Sequence, residues 1–187
     1  VRITAKADNE TLADEMIAGV EGQIRERVGR YIFGIEDEQI ESVLIELLVS
    51  NGLTLATSET GIGNPISSRI LSVADGGKVL ASHQTQNELS EIRNILGISN
   101  ELPIRELAER VAEFVTKTNQ TNAGIAVVSR PDVGEDHADA EGGTAIAVYT
   151  PHKQRSRVYG FGGQGETAQN WTSTWAMSML WQMLTEQ

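Results

Sequence analysis

The sequence predicts an α/β fold: a three-layer α/β/α arrangement around a mixed sheet, preceded by a small N-terminal β-α-β segment. Strand-like segments alternate with amphipathic helices from residue 53 to residue 128, which is typical of a layered α/β domain. The continuous apolar run at 123–128 is expected of a strand that is covered on both faces. A hairpin-like pair at 144–161 indicates that the sheet is mixed rather than purely parallel.

The N-terminal segment is predicted to be a strand, a helix and a short strand. Residues 1–7 alternate between apolar and polar side chains, and Asn9 offers an N-cap to a helix that Gly29 ends. One apolar stripe on this helix is formed by Leu12, Met16, Val20, Ile24 and Val28. Residues 31–33 are predicted as the second strand. We therefore divide the chain into a segment 1–37 and a domain 38–187. The first residue is Val rather than Met, so we expect a fragment of a longer protein.

Periodicity and turn residues predict the elements of the larger domain. They are helix 38–49, strand 53–57, loop 58–63, helix 65–73, strand 78–82, helices 88–96 and 104–117, strands 123–128, 144–150 and 157–161, and a final helix carrying Trp171, Trp175 and Met179. Tryptophans at helical spacing are typical of a core or an oligomer interface, so we expect a homo-oligomer.

Charge and composition exclude several classes of protein. The net charge is −11, and the basic residues near Arg25 and Arg27 are interleaved with acids, which disfavours binding to nucleic acid. No apolar run is long enough to cross a bilayer, so we expect no membrane partner. The absence of cysteine excludes disulfides and thiolate zinc sites and is compatible with a cytoplasmic location. An acidic loop at 132–141 is more typical of a solvated loop than of a metal site, and we assign no metal.

The segment TLATSETGIGNPISSRI at 54–70 has the features of a ligand-binding loop between a strand and a helix. Its glycines let a ligand approach the main chain. Asn64 is a favoured N-cap and Pro65 a favoured first helical residue, so the free N–H groups of the helix start would attract a small anion such as a nucleotide phosphate. The candidate ligand-binding residues are Ser58, Glu59, Gly61, Ile62, Gly63 and Asn64. A capped turn without a ligand is the alternative.

The same segment resembles the signature TLAxAESCTGGLLAxRL of the CinA C-terminal domain, the nicotinamide-nucleotide amidase family. The register is ungapped, and the matched residues are Leu55, Ala56, Glu59, Gly63, Arg69 and Ile70. Residues 95–98 are similar to the family's LLGV, and residues 159–163 to its FxGDR turn. Residues 1–50 resemble the KH-like segment that precedes this domain in full-length CinA proteins, which implies that segment 1–37 is a truncated KH-like segment.

The resemblance implies hydrolysis of the carboxamide of nicotinamide mononucleotide to the acid, with release of ammonia and without a metal or other cofactor. The family's serine nucleophile falls at Thr60, which keeps a hydroxyl and adds a methyl group. The family's tyrosine and lysine, in its YSNExK stretch, are not recovered. One alignment places Ser82 and Asn87 there, and the other places Asn87 and Ile92.

The missing residues leave the mechanism open. A threonine hydroxyl is a weak nucleophile near neutral pH unless a base activates it, and general-base help contributes roughly 10²–10⁴ in rate. His83 is the nearby residue with a suitable ordinary pKa, so Thr60 and His83 are the catalytic candidates. Two functions remain: an amidase of reduced activity, and a catalytically silent relative that keeps the loop for nucleotide or anion binding, or the fold for assembly.

Overall fold

The computed structural model describes residues 2–98, 102–130, 132–133 and 142–186. The helices are α1 Glu10–Val28, α2 Ile40–Ser50, α3 Pro65–Ser72, α4 Gly76–Val79, α5 Leu89–Leu96, α6 Ile104–Thr118 and α7 Glu166–Thr185. The strands are β1 Leu55–Thr60, β2 Leu80–Gln86, β3 Ala123–Ser129, β4 Thr144–Thr150 and β5 Lys153–Tyr159. None of these helices combines the length and the apolar character that a membrane span requires.

The five strands form one mixed sheet in the order β2-β1-β3-β4-β5. Strands β2, β1 and β3 are parallel to one another, β4 is antiparallel to β3, and β5 is antiparallel to β4. Helices α2, α3 and α7 pack on one face of the sheet, here called the α7 face, and α5 and α6 pack on the other, here called the α6 face. The predicted three-layer arrangement and the mixed sheet are confirmed.

Two apolar cores lie on the two faces, because neighbouring residues of a strand point in opposite directions. Leu55, Ile125 and Val127 contribute to the core under α7, whereas Ala56 and Ala126 contribute to the core under α6. The small side chains on the α6 face let that helix approach the sheet closely. The alternation also assigns each polar residue of β1 to one of the two faces.

The N-terminal segment differs from its prediction. Residues 2–7 and 32–33 form no strand, and residues Gly29–Tyr31 form a single 3₁₀ turn. The helix between them is present, and the Asn9 side chain accepts a hydrogen bond from the Leu12 N–H at 3.0 Å as predicted. Two short strands without neighbours to complete a sheet leave their backbone groups unpaired, which explains why the alternation alone did not produce strands.

Several strand boundaries also differ. β2 begins at Leu80 and continues to Gln86, past the predicted end at residue 82. β5 begins at Lys153, before the predicted start at residue 157, and ends at Tyr159. Both strands lie at an edge of the sheet, where polar and charged side chains remain in solvent, so their composition resembles that of a turn.

The tryptophans of α7 lie partly at the surface. Trp171 is 53% exposed, and Trp175 stacks on Tyr159 with ring centroids 4.4 Å apart. Trp181 meets Phe33 edge to face, at 6.5 Å between centroids. Trp175 and Trp181 therefore pack against the core, whereas Trp171 does not.

Candidate functional site

A pocket of about 340 Å³ opens at the carboxyl ends of β1 and β2. One wall is the glycine turn Gly61, Ile62 and Gly63, and Asn87 borders it just after β2. The opposite wall is the segment 163–165 with Gln169 of α7. This is the position at which open α/β sheets bind ligands, as the sequence indicated.

Strand β1 extends further than predicted, through Ser58, Glu59 and Thr60. The turn that follows therefore begins at Gly61, three residues later than the predicted loop 58–63. All three polar residues are completely buried. A strand can bury such side chains when each finds a hydrogen-bond partner, and all three do so here.

The hydroxyl of Thr60 points to the α6 face and is bound by an amide. Thr60 Oγ1 donates to Gln86 Oε1 at 3.1 Å, and Ser58 Oγ donates to the same oxygen at 3.2 Å. A carboxamide does not take up a proton near neutral pH, so Gln86 holds these hydroxyls without activating them. In the described part of the chain, no lysine, tyrosine or histidine hydrogen-bonds to Thr60.

His83 lies on the other face of the sheet. Thr57 of β1 pairs with His83, and Thr60 pairs with Gln86. Residues three apart in a strand point in opposite directions, so the imidazole shares the α7 face with Thr57 and Glu59. The sequence-based pairing of His83 with Thr60 as base and nucleophile is not formed in this structure.

Glu59 caps the start of α3 from the α7 face. Its carboxylate accepts from the Ile66 N–H at 2.7 Å, the Ser67 N–H at 3.0 Å and the Ser67 hydroxyl at 2.7 Å. Burial raises the pKa of Glu59 above its ordinary value of 4.5, and the hydrogen bonds from Ile66 and Ser67 oppose that rise.

The anion expected at the start of α3 is therefore supplied by the protein itself. The first free N–H groups of this helix bind Glu59, which leaves them unavailable to a phosphate. Pro65 occupies the first helical position as predicted, but the Asn64 side chain makes no capping hydrogen bond. Asn64 is also absent from the pocket lining.

The glycines of the turn are required by backbone geometry. Gly61 and Gly63 have positive φ angles of 71° and 77°. A Cβ on Gly61 would lie 2.2 Å from the carbonyl oxygen of Ser129. Of the predicted ligand-binding residues, Gly61, Ile62 and Gly63 line the pocket, and the Ile62 side chain itself is buried in the core.

The opposite wall was not assigned to the site from the sequence. Gly163 packs on the end of β3, where its N–H donates to Ser129 Oγ, and Ser129 Oγ lies 2.9 Å from Thr144 Oγ1. Gln169 Nε2 donates to the Ile62 carbonyl at 3.0 Å and so connects the two walls. The signal that could have found this wall is the run of glycines at 162–165 directly before a helix, the same pattern that marked the first wall.

The described residues that line the pocket carry no formal charge. Its polar side chains are the carboxamides of Asn87, Gln164 and Gln169. Helix α7 begins at Glu166 beside the pocket, and the first N–H groups of a helix have no intrahelical acceptor. The arrangement offers hydrogen-bond donors and acceptors at its rim, while the buried Thr60 is not among the lining residues. The acidic loop 132–141 lies outside the described residues, apart from Asp132 and Val133.

Comparison with known proteins gives two family matches. The model of the CinA C-terminal domain matches residues 37–184, and that of the damage-inducible protein CinA KH domain matches residues 1–34. A CinA-like protein from Kosmotoga olearia is 35% identical over 176 residues, which are 90% of this chain and 39% of that protein. A putative competence-damage inducible protein from Thermoanaerobacter sp. is 35% identical over 134 residues, covering 67% of this chain and 32% of that protein. The chain thus spans about two fifths or less of the length of these curated relatives.

Solved structures show the same fold. A CinA superfamily protein from Escherichia coli has a TM-score of 0.67 at 19% identity, covering 84% of this chain and 98% of that one. A competence/damage inducible protein from Agrobacterium tumefaciens has a TM-score of 0.64 at 20% identity, covering 82% and 99%. The match to the C-terminal domain model extends over most of the chain, and the sheet order and the glycine turn lie within it. The chain therefore belongs to the CinA family.

Proposed function

We propose that this chain binds a small anionic nucleotide of the nicotinamide mononucleotide class in the pocket, and that it does not hydrolyse the carboxamide of that nucleotide. The observation that carries the proposal is the hydrogen bond from Thr60 Oγ1 to the Gln86 amide in the interior of the sheet.

Hydrolysis would require a hydroxyl that reaches the ligand and a base that accepts its proton. Thr60 is completely buried, and its hydroxyl proton is directed to an amide oxygen. Glu59, the adjacent carboxylate, points to the opposite face, where its oxygens bind the start of α3. Within the described part of the chain, neither requirement is met at this position.

Binding of the nucleotide requires neither a nucleophile nor a base, and the features of the pocket support it. Its volume of about 340 Å³ falls within the roughly 300–1,000 Å³ that holds small ligands. The turn Gly61–Gly63 exposes main chain to a ligand, and the start of α7 would favour a phosphate. The carboxamides of Asn87 and Gln164 would hydrogen-bond the sugar hydroxyls or the ligand's own carboxamide.

Amide hydrolysis is the second candidate function. It is favoured by membership of the CinA family and by the hydroxyl that Thr60 retains at the family's serine position. It would require the Thr60 side chain to leave Gln86 and a base to reach it.

A proton NMR titration of nicotinamide mononucleotide with the purified chain tests both halves of the proposal. We expect the ring-proton signals to broaden and shift with added protein, and no signals of the acid to grow during a day of incubation. The variant Gln164→Ala should weaken the broadening, whereas Gln23→Ala, at an exposed position of α1, should not. Sharp, unshifted ligand signals would refute binding, and growth of the acid would refute the silent site.

A further inference from the structure

Arg69 joins three helices through one guanidinium. On one side, its NH2 and Nε donate to the two carboxylate oxygens of Glu41 in α2, at 2.6 and 3.3 Å. On the other side, its NH1 donates to Ser173 Oγ at 2.8 Å and Thr174 Oγ1 at 2.7 Å in α7. Arg69 itself belongs to α3.

This ion pair is better shielded than a surface pair. The side chains of Arg69 and Glu41 are 23% and 13% exposed, compared with 53% and 44% for Arg110 and Glu106 on α6. Screening by water is weaker in the shielded pair, and a planar, bidentate guanidinium holds its partners in a defined geometry.

The helices that Arg69 joins carry the two walls of the pocket. Helix α3 begins at Pro65, just after the Gly61–Gly63 wall, and α7 begins at Glu166, directly after the 163–165 wall. A further hydrogen bond, from Gln169 of α7 to the Ile62 carbonyl, links the glycine turn itself to α7 at the rim. Arg69 lies about one helical turn behind that rim.

We propose that Arg69 is a positioning residue of the pocket: by holding α7 against α3 it fixes the separation of the two walls and therefore the affinity for the ligand. This inference rests on the proposed function, in which the pocket binds a nucleotide. Glu41 fixes the direction of the guanidinium from the α2 side, and the hydroxyls of Ser173 and Thr174 transmit its position to α7.

The test compares variants that remove one or all of the side-chain hydrogen bonds from Arg69 to α7. Thr174→Val keeps the size of the side chain and deletes the hydroxyl, whereas Thr174→Ser keeps the hydroxyl. Arg69→Met deletes the guanidinium, and Arg110→Met makes the same change in the exposed pair on α6. Binding of nicotinamide mononucleotide is measured by calorimetry, at a temperature where circular dichroism shows each variant folded.

We expect Arg69→Met to weaken binding by about tenfold or more, a factor equivalent to about 1.4 kcal/mol. Thr174→Val should weaken it in the same direction, while Thr174→Ser and Arg110→Met should bind like the parent chain. If Arg69→Met does not fold, the comparison of affinity between the two Thr174 variants tests the proposal. Equal affinity of Thr174→Val and Thr174→Ser would overturn the proposal.

Hydrogen exchange separates this proposal from the proposed function. Amide exchange at residues 166–170 is measured without ligand, and positioning by Arg69 predicts faster exchange in Thr174→Val than in Thr174→Ser. If the parent chain binds no nucleotide, the proposed function fails, and faster exchange would still support the positioning of α7. Unchanged exchange in that case would overturn the inference as well.

Discussion

At the scale of single residues, Glu59 shows how a carboxylate is accommodated in a completely buried strand. Its oxygens accept two backbone N–H groups and one hydroxyl at the start of α3. Hydrogen bonds to an ionised group are stronger than those between neutral groups, and they offset part of the desolvation that raises the pKa of Glu59. The residue that looked like a ligand contact from the sequence is a structural cap.

Replacing Glu59 by Gln should therefore destabilise the fold. Glutamine has one acceptor oxygen, so its NH₂ group would face one of the buried donors of Ile66 and Ser67. An unsatisfied buried donor costs about 1–3 kcal/mol, and we expect Glu59→Gln to lower the free energy of unfolding by that amount in urea denaturation.

The control for this prediction is Glu46→Gln, which makes the same change at an exposed position of α2. It should shift stability by less than about 0.5 kcal/mol. Equal stability of Glu59→Gln and the parent chain would show that the cap at α3 contributes nothing.

At the scale of elements, helices α3, α5 and α6 and strands β3 and β4 were predicted to within one residue at each end, whereas α4 was not predicted and β1, β2 and β5 have other bounds than predicted. Helix α6 departs from its predicted span by only one residue. The prediction is close because an apolar stripe at helical spacing depends on local sequence. β1 was predicted to end at residue 57 because Ser58, Glu59 and Thr60 are polar. Their partners, Gln86 and the start of α3, are supplied by tertiary structure and could not be predicted from the strand itself.

Helix α7 is attached to the edge strand β5 near its end. Glu186 accepts hydrogen bonds from Arg155 and Lys153, which together lower the pKa of its carboxyl from 4.5 to about 2. Because the folded-state pKa lies below the ordinary value, this attachment stabilises the fold above pH 4.5 and is lost as the pH falls toward 2.

The pH dependence can be measured by thermal unfolding of the parent chain and Glu186→Gln. We expect the parent to melt at the higher temperature near neutral pH, and the difference to shrink as the pH falls below 4.5. Since the carboxyl is exposed, high salt should also reduce the difference. A difference that grows as the pH falls would contradict this assignment.

Helix α1 is an element with its apolar stripe uncovered. None of its residues is buried, and Met16 is 54% exposed, whereas Met177 in α7 is completely buried. The same substitution at the two sites should therefore have different effects. Met177→Ala should cost about 2–5 kcal/mol, and Met16→Ala less than about 0.5 kcal/mol.

Urea denaturation followed by circular dichroism measures both variants. A large loss of stability in Met16→Ala would contradict the exposure of the Met16 side chain in this structure.

At the scale of the whole molecule, the sequence predicted the three layers and one wall of the pocket. The alternation of strands and helices gave the layers, and the glycines of the β1–α3 turn gave the wall at 61–63. The second wall lies about 100 residues further along the chain. It reaches the first because β4 is antiparallel to β3 and β5 is antiparallel to β4, so that β5 ends at the same edge of the sheet as β1. Neither hydrophobic periodicity nor composition predicts that these two segments of the chain lie side by side.

The arrangement of the sheet also explains why Thr60 and His83 do not form a catalytic pair. Thr60 and His83 belong to neighbouring strands, yet the parallel register places His83 opposite Thr57 and on the other face of the sheet. From the sequence, proximity along the chain favoured the pair. The register, which the sequence did not reveal, separates it.

The rate of ammonia release from nicotinamide mononucleotide, compared between the parent chain and Thr60→Ala, shows whether Thr60 acts as a nucleophile. Since Gln86 holds the Thr60 hydroxyl and no base hydrogen-bonds to it among the described residues, we expect both proteins to release ammonia at the same rate, indistinguishable from the reaction without protein. Turnover by the parent chain that Thr60→Ala abolishes would contradict the proposal that this site is catalytically silent.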